Sequence, residues 1–395
     1  MSDIAVLPVR TPREKRIFLT FPWKIFADDP LWVPPLLPDW AERMDPRKGV
    51  FFQRGTAEFF IAWRDGQPVG TICAAEDRAQ NEEMGLRECV FGFFNFIDDY
   101  AVFEALLARA HAWARERGLD SLNGPFNLDY EDSYGILVEG RERPPALMCG
   151  HTPPYYLHFV ERYGFQPRRG DNIAFALDLD GNPALNDLAR MAERARERCR
   201  FHIRSADLAH WQDELERIYI LLNRALAHLP DHRPWRREVV FNSMSPFKDL
   251  VDPDLVLFAE DPNLPEGERT IGWLPGLPNL NELFARADGL RRPWNTARLL
   301  WDLRQLKRGG LLTRCLTAKS VLVLPEYWGS GVAILMFNEL AQRAKAAGYQ
   351  WIDGSLTSAD NPRTPAFAER LGAKLYKRYR VYQIGVKNGK DPQTL

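Results

Sequence analysis

No stretch of this 395-residue chain approaches the roughly 18 consecutive apolar residues that a membrane-spanning helix requires. Its first segment, Met1 to Lys15, is charged and contains proline, without the apolar core of a signal peptide. Cysteine is sparse: Cys73, Cys89, Cys149, Cys199 and Cys315 are scattered and odd in number, and no Cys-x-x-Cys or Cys/His spacing of a metal site occurs. Neither a disulfide framework nor a zinc centre is therefore expected. A charge excess is missing too, since 52 Lys and Arg stand against 53 Asp and Glu, leaving no global field to recruit nucleic acid or an anionic membrane. Ser-His-Asp, Cys-His, dinucleotide and Walker patterns are absent. The expectation is a cytoplasmic protein with no metal, no nucleic-acid partner and no stable membrane insertion, its oligomeric state open.

What is present is a repeat. The length exceeds one ordinary core and predicts two domains. Gly118-Leu119-Asp120-Ser121-Leu122-Asn123-Gly124 aligns with Gly348-Tyr349-Gln350-Trp351-Ile352-Asp353-Gly354, each a helix end followed by a short strand. Phe159-Val160-Glu161-Arg162-Tyr163-Gly164 aligns with Phe367-Ala368-Glu369-Arg370-Leu371-Gly372, and Val69-Gly70 with Ile271-Gly272. Landmarks in one order predict two copies of one domain, residues 1–180 and 181–395, joined near Leu177 to Asn186, where Asp180-Gly181-Asn182-Pro183 interrupts the pattern.

The second copy carries the chemistry. Val321 to Leu324 reads as a buried strand, and Val332, Leu335, Met336, Leu340, Ala344 and Ala347 fall on one face of a helix. Between them, Gly329-Ser330-Gly331 lets backbone N–H groups and the positive helix end approach an anion. This stretch resembles the acyl-CoA loop of the GCN5-related N-acetyltransferases, Arg/Gln-x-x-Gly-x-Gly/Ala. Gly331 and Ala333 match the small positions, and Trp328 stands where Arg or Gln is usual. The strand at Trp351-Ile352, then Asn361, then a helix ending Glu369-Arg370-Leu371-Gly372-Ala373 and a last strand pair from Lys374 to Gln383 extend the resemblance over about the last two hundred residues. The first half looks like an uncharacterised bacterial group of acetyltransferase-like proteins.

The resemblance implies a mixed α/β (α+β) fold of two tandem acyl-CoA N-acyltransferase-like domains with splayed central sheets. It implies acetyl-CoA or another acyl-CoA as co-substrate, and direct transfer, acetyl transfer foremost, to a primary amine of a small molecule or peptide. Backbone N–H groups near Val321 and Val323 would meet the thioester and pantetheine. Loop residues Trp328, Gly329, Ser330, Gly331, Val332 and Ala333 would hold the pyrophosphate, and Asn361 the cofactor's amide arm. The base stays open among Asp353, Ser355, Glu326 and a water chain. Ala368 occupies the position where many members place an acidic Tyr, so Tyr327 or Tyr376 is the substitute phenol.

The first copy departs from this pattern. Shifted by 230 (328 − 98), Asp98, Asp99, Ala101 and Phe103 stand opposite Trp328, Gly329, Gly331 and Ala333, so the anion loop is lost and carboxylates cap the helix instead. Its Gly124–Gly164 spacing of 40 residues exceeds the 18 between Gly354 and Gly372 by 22. The longer segment holds Glu131, Asp132, Tyr134, His151, Tyr155 and Tyr156, which read either as an ammonium-binding acceptor pocket or as a brace between domains. An insertion in the second copy sets Leu299, Leu300, Leu303 and Leu306 among Arg291, Arg292, Arg298, Arg304, Lys307 and Arg308. That helix reads as a solvated face, or as a contact for a membrane surface, an acidic partner or the CoA phosphates. Two other functions stay in view: a non-catalytic acyl-CoA-binding regulator, and an aminoacyl or peptidyl transferase whose RNA-borne donor the neutral charge balance disfavours.

Overall fold

Sixteen strands form two mixed sheets in a computed structural model that describes residues 3–128, 135–147, 149–228, 234–319, 321–361 and 363–386. In chain order the strands are β1 Ile4–Pro8, β2 Gly55–Arg64, β3 Gln67–Asp77, β4 Glu88–Phe96, β5 Ser121–Gly124, β6 Ile136–Glu139, β7 Gln166–Pro167 and β8 Asn172–Asp178. They continue as β9 His202–Ser205, β10 Val256–Glu260, β11 Thr270–Pro278, β12 Cys315–Ala318, β13 Leu322–Val323, β14 Trp351–Ser358, β15 Lys374–Arg380 and β16 Tyr382–Gly385. The first sheet runs β1-β2-β3-β4-β5-β16-β7, and the second runs β6-β15-β8-β14-β12-β11-β10-β9 with β13 paired to β11.

Apart from β6 and β13, which only the second sheet has, these orders match strand for strand, and they reveal an exchange. The β5-β16-β7 end of the first sheet corresponds to the β14-β8-β15 end of the second. In each, the central strand comes from the other half of the chain. The division at residue 180 therefore follows chain position and not sheet membership: β6 and β8 lie in the second sheet, and β16 lies in the first. Sequence explains the central places. Asn172 to Leu177 in β8 are all buried, so this strand needs neighbours and cover on both faces. Tyr382 and Ile384 of β16 enter the first core beside Phe165 and Leu122.

Both sheets contain one parallel pair, placed equivalently. β4 and β5 pair over Glu88↔Ser121 to Val90↔Asn123, and β12 and β14 over Cys315↔Trp351 to Thr317↔Asp353. Beyond these residues the strands splay. β4 runs on to Phe96 with β3, and the chain after β12 leaves to form β13 on β11 while β14 continues along β8.

The helix after each splay has the expected apolar face. Tyr100–Glu116 buries Val102, Leu106, Ala110 and Trp113, and the Asp99 carboxylate caps it by accepting from the Ala101 N–H at 2.9 Å. Val332–Ala346 buries Val332, Leu335, Met336, Leu340 and Ala344 against the second sheet. A smaller core joins the helices Asn281–Arg286 and Pro293–Lys307 to Leu36 and Leu147 of the first half. No described helix is long and apolar enough to cross a membrane.

Candidate active site

The loop between β13 and the helix Val332–Ala346 has the backbone its glycines predict. Gly329 and Gly331 hold φ of 80° and 97°, the left-handed region that other residues enter only with strain. Gly331 is the N-cap and has no side chain to satisfy the first-turn amides, so those of Ala333 and Ile334 receive no side-chain cap. The two glycines differ in surroundings. A Cβ at Gly329 would meet nothing within 4 Å, whereas one at Gly331 would stand 2.9 Å from the Cβ of Ala195 on the helix Ala184–Arg198. Gly331 thus serves helix packing as well as loop geometry.

Most side chains of this loop serve the loop. Ser330 Oγ donates to Tyr327 O at 2.7 Å, and Cys199 Sγ donates to Ser330 O at 3.2 Å. Trp328 folds back, its Nε1 donating to Val323 O at 3.0 Å and its ring edge-on to His228. It therefore ties the loop to the β13 carbonyl and leaves the Val323 N–H untouched by this contact. Tyr327 is turned away from Asp353: its hydroxyl donates to Asp261 Oδ2 at 3.0 Å and its ring packs on Phe201. Glu326 pairs with Arg224 at 2.6 Å. Asn361 Nδ2 donates to Thr364 Oγ1 at 2.9 Å, at the start of the helix Arg363–Arg370.

At the splay, Asp353 is fully buried and central. Tyr376 donates its hydroxyl to Asp353 Oδ1 at 2.7 Å, and Lys319 Nζ lies 3.4 Å from Oδ2. Burial, and then the Asp353 charge, push the Tyr376 phenol well above its ordinary range, so it stays protonated as a donor. The same two causes keep Cys315 a thiol. Tyr376 arrives because β15 carries one extra residue against β8 between Leu375 and Lys377, and β14 carries one between Gly354 and Thr357. Such bulges re-aim side chains beside a sheet opening. Ser355 lies in this β14 irregularity, and its side chain falls outside the described residues.

The first half walls this region. β6 pairs with β15 and adds an edge strand to the second sheet. Lys377, buried, donates to Gly140 O at 2.5 Å and Arg143 O at 2.7 Å, and burial lowers its pKa to about 8. Tyr379 donates to Gly150 O at 2.9 Å. Next to it, His151 Nε2 lies 2.8 Å from Asp29 Oδ2 while Nδ1 is buried and unpartnered. Burial lowers the His151 pKa despite Asp29, which leaves a neutral imidazole at neutral pH. Glu131, Asp132 and Tyr134 lie outside the described residues.

Tyr155 and Tyr156 bond to the backbone of β4. Tyr155 donates to Phe96 O at 2.6 Å, and the Phe96 N–H donates to Tyr156 Oη at 3.2 Å. Phe96 stacks on Tyr156 with ring centroids 4.2 Å apart. These two phenols satisfy both backbone groups of Phe96 at the end of β4. Sequence saw their polarity and missed their position, because the helix Pro154–Tyr163 turns them onto β4. Lys319, Lys377 and Asp29 were missed outright. In Lys374-Leu375-Tyr376-Lys377-Arg378-Tyr379-Arg380 alternating charge disguises the one lysine that is buried.

No family model matches the chain. It is 30% identical over 393 residues to the bacterial ceramide synthase of Caulobacter vibrioides (strain NA1000 / CB15N), covering 97% of each chain. It is 29% identical over 380 residues to protein YghO of Escherichia coli (strain K12), covering 93% of this chain and 92% of that one. Among solved structures, a tandem GCN5-related N-acetyltransferase from the clavulanic acid biosynthesis pathway superposes with a TM-score of 0.56 at 13% identity, over 97% of this chain and 99% of the other. The last likeness concerns fold and agrees with the paired splayed sheets. The chain belongs to the family of the bacterial ceramide synthase, built on the tandem fold of the GCN5-related N-acetyltransferases.

Proposed function

We propose that this protein is an acyl-CoA-dependent N-acyltransferase whose acceptor is the primary amine of a long-chain amphiphile. The observation that carries the reading is the difference between the two copies: at the end of β4 the Phe96 backbone is bonded by Tyr155 and Tyr156, while the second copy places a helix N-terminus with two left-handed glycines after β13. The name of the Caulobacter relative supports a long-chain amine and a fatty acyl donor over acetyl transfer. The near-complete coverage of both chains supports carrying that suggestion to the whole protein.

In this reading the amides of Gly329 to Ala333 bind the donor's pyrophosphate, and the backbone at Val321 orients its thioester. The amine nitrogen bonds to the thioester carbon and the carbon–sulfur bond breaks. Asp353, held by Tyr376 and Lys319, takes the ammonium proton, and the leaving thiolate is protonated from solvent or from Tyr376. His151, aimed by Asp29, offers Nδ1 to a polar group of the acceptor.

The test is thiol release and amide mass with CoA thioesters from acetyl to long-chain, each with a long-chain amine. Long-chain donors are expected to give amide, and Gly329→Glu to lose donor binding while staying folded, because its Cβ has open space. The left-handed backbone alone costs about 1 kcal/mol. Absence of any thioester binding to the unaltered protein refutes the reading. Binding without amide formation favours the non-catalytic binder, which Ala368 in place of the family's Tyr supports.

A further inference from the structure

The helix Pro293–Lys307 packs on one side only. Leu299, Leu303 and Leu306 turn inward to the core around Leu283, and Asp302, the helix's only acid, is buried with Arg286 at 3.4 Å. Leu300, grouped with that stripe in the sequence, faces the other way. On the outward side Trp294, Leu300 and Trp301 are 61%, 63% and 61% exposed. Trp294, Ala297, Trp301 and Arg304 follow at helical spacing, with Arg298 on one flank and Arg308 just past the end. Among the described residues Arg298, Arg304 and Arg308 have no carboxylate partner, whereas Lys307 is held by Asp249 at 2.9 Å.

We propose that this face docks on a membrane surface carrying anionic lipid, with the two indoles and Leu300 in the headgroup boundary and the three arginines among lipid phosphates. Charge complementarity selects the occupant. The outward face carries unpaired cations and no acid, although the chain as a whole is nearly neutral at −1. A second copy meeting this face about a two-fold axis would set the arginines against themselves. A small anion such as a CoA phosphate gives the exposed indoles no contact, while the boundary of a bilayer takes an aromatic ring and a guanidinium together. The inner side of the same helix shares its core with Leu147, two residues before Cys149 and four before His151. Docking would therefore bring the bilayer up to the wall of the candidate site. The inference rests on the helix face and does not require the proposed reaction.

The full-length protein is sedimented with vesicles of phosphatidylcholine alone and with added phosphatidylglycerol, without donor or acceptor. Binding is expected only with phosphatidylglycerol and is expected to weaken with salt. Replacing Arg298, Arg304 and Arg308 by Ala is expected to weaken it on the order of 100-fold, at about fivefold for each cation. Trp294→Ser with Trp301→Ser should weaken it as well, and both variants should keep the native melting temperature because the altered side chains are exposed. Equal sedimentation with both vesicles, or variants that bind like the parent, overturns the proposal. So does a dimer in size-exclusion chromatography that the double Trp variant dissolves.

Discussion

Ending the chain at Val381 should unfold the first sheet, although every residue of β1 to β5 is retained. The truncation removes β16, which lies between β5 and β7, and with it the buried side chains of Tyr382, Ile384 and Val386. Burying a large apolar side chain contributes about 1.5–3 kcal/mol, so three of them contribute roughly 5–9 kcal/mol. Ladder bonds to Ser121–Gly124 are lost in addition. A domain's entire stability is about 5–15 kcal/mol, which leaves little or nothing to hold β5 and β7 in place. The control ends the chain at Val386 and keeps β16 whole. The assay is urea unfolding followed by circular dichroism, with hydrogen exchange read separately on β2–β4 and β10–β12. The shorter protein should lose protection in β2–β4, the control should match the parent, and the parent should unfold in one transition because each sheet contains a strand from the other half. Residues 1–180 expressed alone should fail to fold for the same reason. A stable, protected 1–180 fragment would refute the argument that the exchanged strands make the halves interdependent.

The sequence carried the architecture further than the site. Two copies were legible because helix-ending glycines and apolar faces recur in order, and the Val332–Ala346 helix buries the side its periodicity predicts. The strand exchange was not legible. β8 and β16 have the composition of central strands, but period-two patterning does not say which sheet a strand enters, and both follow connections of only a few residues. At the site, the glycine loop could be read because positive φ selects glycine. Asp353 could be placed because it follows Trp351-Ile352, a recognisable strand start, and ends the parallel pairing of β14 with β12. Its partner Tyr376 was one of two phenols left open, and the decision fell to a bulge in β15, which leaves no mark in composition. Tyr155 and Tyr156 show a different limit: a phenol beside other polar residues reads as a binding group, yet its hydroxyl can equally satisfy a neighbouring strand's backbone.

Tyr376→Phe should lower kcat with little change in donor affinity, because it removes the hydrogen bond that fixes the Asp353 carboxylate; an unchanged pH–rate profile and kcat would exclude a positioning role. Tyr155→Phe and Tyr156→Phe should lower stability by about 1 kcal/mol per lost hydrogen bond, read as a lower melting temperature, and leave acceptor KM unaltered; a raised KM would place them in the acceptor site. The last expectation concerns pH. His111 lies inside the first core with both ring nitrogens unpartnered, and burial, reinforced by Arg115, lowers its pKa from 6.5 to about 4. In the unfolded chain the imidazole regains its ordinary value, so between pH 6.5 and 4 the unfolded state binds the extra proton. Stability from this group is therefore full above pH 6.5 and falls as pH drops towards 4, by about 3 kcal/mol at the limit. His111→Leu keeps an apolar side chain of similar size at the position and has no proton to gain. Urea midpoints of the parent should fall relative to that variant as pH is lowered from 7 to 4.5, and parallel curves would show that His111 does not govern acid stability.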